Sequence, residues 1–185
     1  MDSGDAPPSR DYVIIVGEEP KASAPTLTLS RALARLGVGV RFVPADRLGR
    51  REWVRLVRFA KAILFLTYNE VDVYLISQLA TAVAMDVPIV RWWVGTDVLN
   101  AITRKEVQTG ALRIDRIVSA NVAVAPHLVD ELASIGIHAR FVPSVLDPNI
   151  VPLSMESWSE RTRPVLLYLP DSRKDFYGLG VIEPV

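Results

Sequence analysis

Cysteine is absent from the 185-residue chain, which excludes disulfides, thiolate chemistry and sulfur-based metal sites and fits a reducing cytoplasm. Histidine is nearly absent too. The two present, His127 and His138, stand apart with no D-x-D and no carboxylate cluster, so no metal is expected. An excess of one charge sign is missing, since 21 Lys and Arg balance 21 Asp and Glu. Nothing global therefore draws the chain to nucleic acid or to an acidic partner, and any electrostatic message is local. A membrane-length apolar run is also lacking. "VDVYLISQLATAVAM", from Val71 to Met85, falls short of the ~20 residues that a span needs, carries Asp72 and Gln78, and reads as a buried helix. "MDSGDAPPSRD" has no apolar core of a secretion signal, so residues 1–10 read as a mobile tail and the expected location is cytoplasmic.

What is present is hydrophobic material in two alternating periods. Half of the residues are hydrophobic, enough for one well-packed domain in a chain of this length. "DYVIIVG" is a short β-rich run closed by Gly17, and "PTLTLSRALARLG" follows with a helical stripe of Leu27, Leu29, Leu33 and Leu36. The alternation continues. Strands are expected at "VGVRFV", "AILFLT", "PIVRWWV", "NVAVAP" and "ARFVPS". Helices are expected at "REWVRLVRFA", Val71 to Met85, "DVLNAITRKEVQ", "RIDRIVSA" and "HLVDELASIG". Apolar strands alternating with helices imply a parallel sheet covered on both faces, a Rossmann-like α/β domain over residues 11–150. Residues 151–163, polar and proline-flanked, read as a linker, and residues 164–185, opening with "VLLYLP", read as the first strand and helix start of a second domain. That pair of elements cannot bury its own apolar faces.

Ligands of an open parallel sheet bind at the carboxyl ends of its strands, so each strand-to-helix junction is a candidate. "VIIVGEEPKASAP" has one glycine and no G-x-G-x-x-G, and neither G-x-x-x-x-G-K-[ST] nor G-x-S-x-G occurs. A phosphoacceptor receiver is set aside, because the third strand ends in Thr67-Tyr68 where an aspartate is needed and the fifth ends in "VAPH" without lysine. "RWWVGTDVLNA" remains. There Gly95 lets backbone approach a ligand, Thr96 offers a hydroxyl and an N-cap, and Asp97 either caps the helix or serves as a base or a sugar-hydroxyl acceptor. Trp92 and Trp93 point to opposite faces, so at most one lines a given surface. His127 follows Pro126 at the mouth of the fifth strand, as a cap or as a cleft residue, and His138 reads as solvent-facing.

Three segments in order, "RWWVGTDVLNA", "NVAVAPHLVDELASIGIHARFVPSVLDP" and "RPVLLYLPDSRKDFYG", resemble the N-terminal half of a GT-B glycosyltransferase of the family 4-like retaining group. The resemblance covers most of the chain. It implies two facing Rossmann-like domains, with the acceptor held by the first and a nucleotide-sugar donor by the second. It implies catalytic roles for Asp97 and His127 and acceptor contacts from Gly17, Glu18, Glu19, Thr67, Tyr68, Trp93, Gly95, Thr96 and Ser144. It further implies donor-phosphate contacts from Arg173 and Lys174, which stand between Pro170-Asp171 and Tyr177-Gly178 where the family has Gly-Arg and Lys-Gly pairs. The nucleotide-sugar is then a co-substrate and no cofactor is implied. The family's paired glutamates, E-x(7)-E, would lie beyond Val185, so these residues alone are expected to be inactive without the rest of the donor domain.

One local charge signal stands out. In "DRLGRREWVRLVRFAKA", residues 46–62, Arg51, Arg55 and Arg58 share a helical face opposite Trp53, Leu56, Val57 and Ala60. Two readings stay open for residues 47–61: a helix that simply covers the sheet with its arginines in water, or a weak contact with anionic lipid, which would make the protein peripheral at the inner membrane surface. Partners expected from the whole reading are a sugar or lipid-linked acceptor and no nucleic acid. The alternatives are a stand-alone ligand-binding module without turnover, or a dimer formed through residues 164–185.

Overall fold

The computed structural model describes residues 10–17, 25–43, 48–66 and 73–144. These residues alternate strand and helix: β1 (Tyr12–Val16), α1 (Pro25–Arg35), β2 (Gly39–Val43), α2 (Arg50–Arg58), β3 (Ala60–Leu66), α3 (Val73–Ala84), β4 (Ile89–Trp93), α4 (Thr96–Thr103), α5 (Lys105–Asp115), β5 (Ala120–Ala123), α6 (Pro126–Ser134) and β6 (Ala139–Phe141). The strands form one sheet in the order β2-β1-β3-β4-β5-β6. Every neighbouring pair is parallel, which makes this the expected Rossmann-like α/β fold. Residues 1–9 of the expected tail, the expected linker and residues 164–185 lie outside the described residues, whereas Arg10, the last residue of that tail, donates to the Asp86 and Met85 carbonyls at 2.7 and 3.1 Å. No helix among the described residues is long and apolar enough to cross a membrane.

Side chains alternate along each strand, and the two faces they create are covered unequally. Ile14, Ile63, Phe65, Ile89, Trp93 and Ala123 point to a face packed by α2, α3, α4, α5 and α6. The opposite face carries Ile15, Leu64, Leu66 and Trp92, and among the described residues α1 is the helix on it, through Leu29. A right-handed crossover explains the imbalance. The step from β1 to β2 runs one way along the sheet and every later step runs the other, so α1 is sent to one face and the remaining helices to the other.

The helices are held by short apolar stripes rather than by caps. In α2, Trp53 and Val57 are buried against the sheet. The Trp53 Nε1–H donates to the Gln78 carbonyl at 2.9 Å, which ties α2 to α3 with the indole dipole satisfied inside the core. Between β4 and β5 the chain departs from the expected helix over residues 97–108. It breaks at Arg104, whose φ of −117° and ψ of 112° are extended, and restarts as α5. Phase explains the break. Continuing the Val98–Ala101 stripe at helical spacing would turn Lys105 and Gln108 inward. The restart turns Ala111 and Ile114 inward instead, with Val107 packed against the same core.

Trp53→Ala is expected to cost about 3–5 kcal/mol of unfolding free energy, from lost burial and the abandoned Gln78 carbonyl. Urea unfolding checks this, and a loss below about 1 kcal/mol would show that α2 is not part of the cooperative core.

Candidate functional site

The strand order reverses between β1 and β3, and the two strands that flank β3 end in the same kind of junction. At the carboxyl end of β1 stands Gly17 with φ +143°, and at the end of β4, which borders β3, stands Gly95 with φ +134°. Both values lie where side chains are strained and glycine is not. Among the described residues, nothing lies within 4 Å of the positions that a Cβ would occupy on Gly17 and Gly95. No described residue therefore blocks the backbone at these two turns, which stand at the place where parallel sheets bind ligands.

Asp97 builds the second of these turns. Its Oδ1 accepts the backbone N–H groups of Val94 at 3.1 Å, Gly95 at 2.8 Å and Val98 at 3.0 Å, and its Oδ2 lies 3.3 Å from the Val94 nitrogen. One carboxylate thus satisfies donors before and inside the first turn of α4, where Gly95 itself offers no capping side chain. The side chain is 5% exposed. Burial pushes its carboxyl above the ordinary carboxylate range, and the N–H bonds oppose that shift only in part. In this geometry Asp97 positions backbone rather than presenting a free base.

Beneath the turn lies a polar group of side chains inside the helix-rich face. Arg91 is fully buried in the middle of β4, with its guanidinium 3.6 Å from the Trp93 ring centroid and its Nη1 donating to the Ala111 carbonyl at 3.1 Å. Trp93 donates its Nε1–H to Asn121 Oδ1 at 3.1 Å, and Asn121 Nδ2 donates to Asp115 at 2.7 Å. Desolvation pulls Arg91 down to about 9, with Asp97 and Asp115 acting the other way, so the guanidinium stays charged at neutral pH. The buried cation, stacked on an indole and in the field of two carboxylates, ties β4 to α5 through the Ala111 carbonyl, and the same indole ties β4 to β5 through Asn121.

The structure sorts the expected site residues into groups. Gly17, Gly95, Thr96, His127 and Ser144 all lie at the carboxyl ends of the strands, and Thr96, His127 and Ser144 are exposed. Trp93 does not line this rim. It is 0% exposed and belongs to the core under α4, α5 and α6, because its place in the alternation turns it to the helix-rich face. Both tryptophans are buried, Trp92 on the other face at 4% exposure. Glu18, Glu19, Thr67, Tyr68, Arg173 and Lys174 lie outside the described residues.

Two residues of interest were not among the expected site residues. Arg91 was signalled only by being a charge inside the apolar run "PIVRWWV". Trp92 has a buried Nε1–H without an acceptor among the described residues, and it pairs in register with Leu66 at the carboxyl end of β3. Among the described residues no group of three His, Asp or Glu could hold a metal ion. No protein-family model matches this chain, and no curated protein matches its sequence.

Replacing Asp97 separates its roles as acceptor and as charge. Asp97→Ala leaves three backbone N–H groups without their acceptor and is expected to cost about 2 kcal/mol, whereas Asp97→Asn keeps an acceptor oxygen and costs less. The folded carboxyl binds its proton more tightly than the unfolded one, whose value is 3.8. The native state therefore holds more protons between that value and the raised one, and the stability contributed by Asp97 falls as pH rises through this window and is constant above it. The deficit of Asp97→Asn relative to wild type should accordingly narrow from acid to neutral pH in urea unfolding. A deficit that widens would mean that the N–H bonds outweigh burial.

Proposed function

We propose that this chain binds a sugar-bearing acceptor at the carboxyl ends of β1, β3 and β4, as the acceptor half of a cytoplasmic enzyme that transfers a sugar from a nucleotide-sugar donor. The observation that carries the reading is the pair of open glycine junctions, Gly17 and Gly95, on the two strands that flank β3. Sugars offer many hydroxyls and little charge. They suit a rim of backbone N–H and C=O groups that can be approached closely, supplemented by a few side-chain hydroxyl and imidazole groups. Thr96 and His127 supply such groups from the exposed first turns of α4 and α6. The order of the sequence motifs supports a glycosyltransferase of the GT-B kind, because the glycine junction after β4 and the "APHLVDELASIGI" segment fall on adjacent elements, β4–α4 and β5–α6.

The role of Asp97 in this proposal follows from its bonds. It holds the turn that presents Gly95 and Thr96, so it is a positioning residue for the acceptor, while His127 is the exposed titratable group at the rim. Transfer itself belongs to the enzyme with its donor domain. These residues contribute acceptor binding.

The test is amide chemical-shift mapping of the chain titrated with an alkyl glucoside below its micelle threshold. Shifts should gather at Gly17, Gly95, Thr96 and His127, and Thr96→Ala and His127→Ala should each weaken binding about fivefold, the equivalent of one hydrogen bond of about 1 kcal/mol. Shifts confined to the shallow hollow at the opposite end of the sheet, lined by Val83, Asp86, Pro88 and Ser119, would reject the reading, and so would a flat response to the titration.

A further inference from the structure

Net neutrality of the chain hides a division of charge within the fold. Of the described residues, those from Arg10 to Leu66 include nine Arg and Lys against two acids, Asp11 and Glu52, whereas residues 73–144 hold six of each sign. The surplus of seven positive charges is confined to β1, α1, β2, α2 and β3, one flank of the sheet.

Topology draws several cations to the amino ends of the strands. Tyr12, Gly39 and Ala60 lie side by side at the starts of β1, β2 and β3, and the Asp11 N–H donates to the Phe59 carbonyl at 3.0 Å. The last turns of α1 and α2 therefore arrive at one rim, bringing Arg35 and Arg58 with them. Lys61 joins them as the extra residue of a bulge, since Tyr12 pairs with Ala60 and Val13 with Ala62, and its side chain is exposed. From this rim the solvent face of α2 continues the positive surface through Arg55 and Arg51, opposite the buried Trp53 and Val57. Large apolar side chains stand among these charges: Leu36 is 77% exposed, Phe59 38% and Val54 36%.

We infer that this rim and the outer face of α2 dock on an anionic lipid surface. Cations alone would suit any polyanion, but Leu36 and Phe59 decide between them. A phosphate backbone gains nothing from an exposed leucine, whereas the headgroup region takes up an apolar side chain flanked by arginines. The inference goes beyond the acceptor-binding proposal and does not depend on it, because the lipid-facing rim is the end of the sheet opposite Gly17 and Gly95.

Sedimentation of the full chain with vesicles tests this, using phosphatidylcholine alone and phosphatidylcholine mixed with phosphatidylglycerol. Binding is expected only with the anionic mixture and is lost at high salt. The triple variant R51Q/R55Q/R58Q should bind about a hundredfold more weakly, at about fivefold per cation. Leu36→Ser should weaken binding severalfold with the charge unchanged. Equal binding to both vesicles, or none to either, overturns the inference without help from any variant. So does an unchanged affinity in either variant, and a duplex oligonucleotide that binds more tightly than the anionic vesicles would make nucleic acid the partner instead.

Discussion

Right-handed crossover between parallel strands is the constraint on which this structure depends. Once β2 takes its place on one side of β1 and β3 on the other, the faces assigned to all later helices follow, and so does the point where the strand order reverses. That reversal leaves the ends of β1 and β3 without a helix connecting them directly, which opens the crevice that parallel sheets use for ligands. The same constraint loads one face with α2 to α6 and leaves α1 on the other. The fold thus has a chemical direction built into it before any particular side chain is considered.

Within that frame, β4 is the strand that unites structure and site. Its inward positions on the helix-rich face are Ile89, Arg91 and Trp93, and the middle one is a buried cation. Burying a guanidinium is costly unless its charge and its donors are answered. The answer comes from the Trp93 ring, the Ala111 carbonyl and the nearby carboxylates Asp97 and Asp115. Asp97 is therefore attached to the fold in two ways, by the N–H groups it accepts and by the field of Arg91. A turn secured on both counts keeps Gly95 in its left-handed conformation and holds the start of α4 in place. Rigidity of this kind is what a binding rim needs, since a ligand then does not have to order the loop that receives it.

How much of this could be read from the sequence depends on how local the cause is. The strand and helix alternation was legible because buried parallel strands are continuous apolar runs and helices carry a stripe, as "DYVIIVG" and "REWVRLVRFA" show. The glycine junctions were legible for the same reason, each standing where an apolar run stops. The break at Arg104 was not, because it arises from the phase of Val98 and Ala101 against Ala111 and Ile114, which matters only once both stripes must face one sheet. Trp93 was misplaced for a related reason: alternation says that Trp92 and Trp93 part, but which of them meets the helix-rich face follows from the crossovers. The bonds of Asp97 belong to a turn whose shape no spacing rule specifies, and so a carboxylate next to a glycine read equally well as a base or as a brace.

Charge follows the same direction as topology. At the carboxyl ends, the proposed binding of a sugar asks for approachable backbone and for hydroxyl or imidazole groups, and Gly17, Gly95, Thr96 and His127 meet that requirement. At the amino ends of β1, β2 and β3 there is no such demand, and there Arg35, Arg58 and Lys61 accumulate beside Leu36 and Phe59. A helix has its own reason to end in cations, because its carboxyl terminus carries partial negative charge, and Arg35 and Arg58 close α1 and α2 in agreement with it. That effect fades within one turn and does not reach Arg51 or explain an exposed leucine. The surplus over what helix ends require is the part that calls for a partner, and it lies at the end of the sheet opposite the rim proposed to bind sugar.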